Sequence, residues 1–144
     1  MDETAFRQAC SDAVARPCIF QKALLAHCVD CKRADRVQIA EREAVGCRNP
    51  ASHARCISLH HQLKLNFSFA LGIRHINGSL SHAQELRVQC GGLMGLHFAL
   101  SGSADVNDVD SLLGDALERW GDLERIPYSE VVYAAGLCYK GRRG

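Results

Sequence analysis

The chain has 144 residues, with 17 Lys and Arg against 16 Asp and Glu (formal charge +1), and 47 % apolar against 23 % charged residues. That balance belongs to an ordinary globular domain and excludes a disordered tail, a coiled coil and a collagen-like chain. Near-neutral charge also argues against a dedicated nucleic-acid binder, which would carry a basic excess.

In chain order, Phe6, Ala9, Cys10, Ala13 and Val14 recur at helical spacing behind Asp2 and Glu3, which predicts an N-terminal helix. Pro17 suits the first turn of a second helix carrying Leu24 and Leu25. Residues 28–49 are polar and cysteine-rich, and Asn49-Pro50 reads as an N-cap and first-turn proline opening a third helix. From Leu63 the period changes. Leu63, Leu65, Phe67, Phe69, Leu71 and Ile73 alternate with other residues, and Leu86, Val88 and Cys90 alternate again. With a turn at Asn77-Gly78, this predicts an antiparallel β-hairpin over about residues 67–90. Two strands alone are marginal in water, so helices must cover one face.

Gly91-Gly92 opens an apolar segment reaching Leu100. Val109, Leu112, Leu113, Ala116 and Leu117 mark a helix ending near Trp120-Gly121, and Pro127 starts a last helix running through Cys138 to a basic tail. The expected fold is α+β: a mostly helical single domain over residues 1–144 with a two-stranded antiparallel hairpin.

The acidic, polar start Met1–Thr4 lacks the basic and apolar regions of a secretory signal. No stretch reaches the roughly 18 apolar residues of a membrane span. The expected compartment is the cytoplasm, where thiols stay reduced and clustered cysteines bind metals or carry redox chemistry.

Eight cysteines stand at positions 10, 18, 28, 31, 47, 56, 90 and 138, five of them in a zone at about 18–56. Cys10 and Cys138 fall on apolar stripes and read as structural. Cys28-Val29-Asp30-Cys31 is a C-x2-C pair, which can present two sulfurs from one turn, and Cys47 and Cys56 complete four donors. Zinc sites usually take two close pairs, and the eight residues between Cys47 and Cys56 depart from that. Iron–sulfur clusters accept more irregular spacing. The expected cofactor is therefore an iron–sulfur cluster, 4Fe–4S by preference, on Cys28, Cys31, Cys47 and Cys56, with Lys32, Arg33 and Arg48 offsetting its charge. Geometry raises an objection: a straight helix over residues 32–45 would span about 21 Å. Either that segment turns back on itself or the ligand set changes, and the substitutes are Cys90, then Cys18. His53 is a further substitute, three residues before Cys56.

The acidic run from Asp105 to Asp110 fails as a calcium loop, because Val109 and Ala116 occupy its fifth and twelfth positions. Its acids are expected to cap the helix that follows. No nucleophile elbow, H-E-x-x-H or kinase signature is present. The expected role is non-catalytic: electron transfer, redox sensing or service to a larger metalloenzyme, with another protein as partner and neither membrane nor nucleic acid. Two alternatives stand beside it, a zinc-stabilised protein-interaction module and a thiol–disulfide redox protein using Cys28 and Cys31.

Overall fold

The computed structural model describes residues 2–72 and 80–140. The turn expected at Asn77-Gly78 and the end of the basic tail lie outside the described residues. Helix α1 (Glu3–Ala13) begins where the Asp2 carboxylate accepts from the Ala5 N–H at 2.7 Å. A short helix α2 (Gln21–Leu25) precedes strands β1 (Ala34–Ile39) and β2 (Arg42–Cys47), and α3 (Pro50–Ala70) follows. As expected, Asn49 caps α3, its side-chain oxygen accepting from the Ser52 N–H at 3.0 Å, with Pro50 in the first turn. Next, α4 (His82–Leu86) starts on a Ser81–Gln84 capping box and runs through a π turn, Arg87–Gly91, into α5 (Gly92–Ser101). Helices α6 (Val109–Trp120) and α7 (Tyr128–Cys138) complete the chain, joined by a 3-10 turn at Leu123–Arg125.

The α+β class holds, with a two-stranded antiparallel sheet among the described residues, but the hairpin lies at 34–47 and not at 67–90. Helical burial explains the difference. Leu59, Leu63 and Phe67 are buried four residues apart, whereas Phe69, which the strand reading turned inward with Phe67, is 89 % exposed. From Val88 to Leu93 every residue is buried, so a helix enclosed on all sides produced an apparent alternation. The true hairpin is concealed by its charges, Asp35, Arg36, Arg42 and Glu43. It also turns through Ala40-Glu41, with Ala40 at φ +55°, where glycine or asparagine is the usual signal.

Opposite faces of this hairpin meet different neighbours. Ile39 and Ala44 pack with Val14 against Phe6, Ala9 and Cys10 of α1. Arg42 fastens that helix, pairing with Glu3 at 2.9 Å and lying 3.7 Å over the Phe6 ring. Val45 points the other way, into the main core with Phe20, Leu59, Leu63, Leu93 and Leu113. Helices α5 and α7 pack backbone to backbone at Gly95, where a Cβ would stand 3.0 Å from the Ala135 backbone nitrogen. Among the described residues no helix is long and apolar enough to cross a membrane.

A polar network ties the core to α2. His60 Nε2 meets Glu85 Oε1 at 2.6 Å, Gln89 Nε2 donates to the same oxygen at 2.8 Å, and Gln89 Oε1 accepts from the Ala23 N–H at 3.1 Å. The His60 hydrogen bond, opposed by burial and helped by Gln89, holds the Glu85 carboxyl down at about 2. A depressed carboxyl stabilises the fold above its ordinary value of 4.5 and loses that contribution as pH falls through about 2. Glu85→Gln should therefore cost about 1–3 kcal/mol at neutral pH. Its deficit against the wild type should shrink between pH 4.5 and 2. Urea titrations across that range check this, and a pH-independent deficit would contradict it.

Candidate functional site

The 32–45 segment does turn back on itself, and that reversal assembles the site. Cys47, at the end of β2, pairs with Ala34 at the start of β1, and the Ala34 N–H donates to the Cys31 carbonyl at 3.2 Å. A third extended segment lies along the other edge of β2. Pro17 bridges Gly46, the Cys18 N–H donates to Val45 O at 2.9 Å, and the Cys47 N–H donates to Arg16 O at 2.8 Å. Cys18 thus stands opposite Val45, two residues from Cys47, which puts both cysteines on the inward face. Gly46 permits this approach, because a Cβ there would meet Val14 Cγ1 at 2.8 Å and Arg16 O at 3.3 Å. Cys56 enters from the second turn of α3.

Cys18, Cys31, Cys47 and Cys56 consequently line one apolar cavity of about 20 Å³, room for about one water. Arg33, His53 and Asp110 stand on its wall. The His53 ring is engaged through Nε2 with Pro17 O at 3.0 Å. Of the three cations expected to offset charge, Arg33 lines the cavity, Arg48 turns to Asp35 at 3.7 Å, and Lys32 is exposed.

Of the expected ligands, Cys31, Cys47 and Cys56 come together and Cys28 does not. Cys28 stands on a bend just after α2, its N–H donating to Ala23 O at 3.1 Å, and lines a separate cleft beside His27, Asp30 and Asp105. Beyond that bend the chain is bridged in parallel at Val29 to Val106, with Asp30 N–H donating to Val106 O at 3.1 Å. The same geometry separates the two thiols of the disulfide alternative. Cys90 is fully buried in the main core, within the π turn, and does not line the cavity. Cys18, ranked last among the thiol substitutes, lines the cavity with Cys31, Cys47 and Cys56.

Burial and mutual repulsion set the state of the thiols that line the cavity. Burial pushes the Cys56 thiol up to about 12, and Cys18, Cys31 and Cys47 add to the rise. Burial likewise raises Cys18 to about 11, partly offset by the Phe20 N–H aimed at its sulfur, with Cys31 and Cys47 raising it further. Cys31 is raised by burial, against backbone N–H donors from Arg33 and Asp110. Cys47 donates to Asn49 O at 3.3 Å. No disulfide joins any of Cys18, Cys28, Cys31, Cys47 and Cys56. Raised thiols of this kind are poor nucleophiles in the metal-free protein, and binding a metal ion would displace their protons.

Among the described residues no group of three or more His, Cys, Asp or Glu side chains is arranged to hold a metal ion. Comparison with protein-family models, with curated proteins and with solved structures finds no match for the chain.

Sequence reasoning ranked Cys18 behind Cys28 and Cys90, and it read Asp110 only as a helix cap. No local signal marks either one, since both depend on partners tens of residues away. A thiol raised from 9.0 to about 11 holds about a hundredfold less thiolate near neutrality. Iodoacetamide should therefore modify Cys18 of the metal-free protein about a hundredfold more slowly than an unperturbed cysteine, as followed by mass spectrometry of digests. Equal rates would show that the cavity is open to water.

Proposed function

We propose that the protein carries an iron–sulfur cluster, 4Fe–4S by preference, on Cys18, Cys31, Cys47 and Cys56. One observation carries this reading: four half-buried thiols from four separate chain segments line one small apolar cavity. Cys18, Cys31 and Cys56 also pack against the main core, whereas Cys10 lies in the second cluster and Cys90 does not line the cavity. Four cysteine thiolates are the usual donor set for such clusters, whose potential is tuned by hydrogen bonds to sulfur and by burial. Here the N–H groups of Phe20, Arg33 and Asp110 would supply those bonds, and Arg36 and Arg55 place positive charge near Cys18 and Cys56.

Zinc held by four thiolates needs every sulfur about 2.3 Å from a single point. Among the described residues no side-chain group is arranged in that way. The small free volume, about 20 Å³, favours the second reading, a zinc-held interaction module. The role that fits the cluster is one-electron transfer, redox sensing or service to a larger metalloenzyme, with a protein partner. A reducing compartment such as the cytoplasm suits a cysteine-rich zone without disulfides.

Protein purified without oxygen, or reconstituted with ferrous iron and sulfide, should be brown and hold both elements in stoichiometric amount. Cys47→Ser should lose most of the colour, whereas Cys138→Ser should keep it. A colourless protein holding one zinc per chain establishes the second reading, and full iron and sulfide in Cys47→Ser contradicts the ligand set.

A further inference from the structure

We propose that Asp110 is the positioning residue of the thiol site, fixing the separation between the Cys31 loop and the Cys56 helix; this rests on the cluster reading above. Asp110 lies in the first turn of α6, where backbone N–H groups have no partner within the helix. Those groups are used on the Cys31 loop. The Val109 N–H donates to Asp30 O at 2.9 Å, and the Asp110 N–H is aimed at the Cys31 sulfur. The neighbouring Asp108 carboxylate accepts from the Lys32 N–H at 2.9 Å, which closes the same loop.

The Asp110 side chain then reaches the other two elements. One oxygen accepts from the Ser52 hydroxyl at 2.5 Å and from Arg55 Nη2 at 2.9 Å, both on the first turns of α3 that carry Cys56. Its second oxygen accepts from Arg33 Nε at 3.2 Å, two residues after Cys31. One carboxylate, 19 % exposed, therefore joins α6, α3 and the Cys31 loop beside the cavity. Burial favours its neutral form, but Ser52, Arg33 and Arg55 outweigh that and keep it ionised. An amide in its place keeps one acceptor oxygen and turns an NH2 group towards a guanidinium, so at least one of the three bonds is lost. Outer-shell residues of this kind typically change metal affinity by about 10–100-fold.

The test uses the full chain reconstituted with iron and sulfide without oxygen, and compares wild type, Asp110→Asn, Ser52→Ala and Glu3→Gln. Asp110→Asn should release iron to a ferrous chelator about tenfold faster or more and shift the reduction potential, while its metal-free form keeps a near wild-type melting temperature. Ser52→Ala should accelerate release by a smaller factor. Glu3→Gln breaks the α1–hairpin pair on the opposite face and should leave release unchanged. A brown wild type whose Asp110→Asn variant releases iron at the wild-type rate overturns the inference alone, as does equal acceleration in Glu3→Gln. A wild type that takes up neither iron nor sulfide overturns the cluster reading and this inference with it.

Discussion

Three extended segments, 16–18, 42–47 and 34–39, lie side by side, and everything about the thiol site depends on that pairing. β2 runs between the other two. Its Cys47 is held by a backbone bond to Arg16 on one edge and by pairing with Ala34 on the other. Because side chains alternate along a strand, fixing this register decides which cysteines turn inward. A slip of one residue would send Cys18 and Cys47 to the opposite face. Gly46 guards the register, since no side chain fits between Val14 and Arg16.

Much of this was legible in the residues and some was not. The helical stripe of Val109, Leu112, Leu113 and Ala116 and the Asn49-Pro50 start of α3 announce their elements, because propensity, capping and burial agree there. The hairpin does not announce itself. Its strands are short, largely charged and half exposed, and its turn uses Ala40 at a positive φ in place of glycine. Phe67 and Phe69 suggested a strand through two-residue spacing, and only packing shows that one is buried and the other is not. At the site, Cys31, Cys47 and Cys56 were readable as a set because they are close together in a polar stretch. That Cys18 joins them in the cavity while Cys28 does not was not readable, because it depends on Cys18 pairing with Val45 and on the bend at Cys28.

Burial and charge give the four thiols their character. In the metal-free protein Cys18 and Cys56 remain protonated at any physiological pH, held so by burial and by one another. A cationic centre, as proposed, would reverse that balance, since thiolates that repel one another could each bind it. The backbone N–H groups aimed at Cys18 and Cys31 favour the charged form of those thiols, against the burial that raises them. Asp110 and its partners Arg33, Arg55 and Ser52 hold two of the contributing elements in place. The His60–Glu85–Gln89 network anchors α2, which follows Cys18, to the core.

The exchange of Cys28 for Cys18 is the point at which geometry and spacing part, and it admits a direct measurement. Iron and acid-labile sulfide are quantified in Cys18→Ser and Cys28→Ser, each reconstituted alongside the wild type without oxygen. The account predicts that Cys18→Ser loses most of both elements while Cys28→Ser retains them at the wild-type level. The reverse pattern, with the cluster kept in Cys18→Ser and lost in Cys28→Ser, would contradict it.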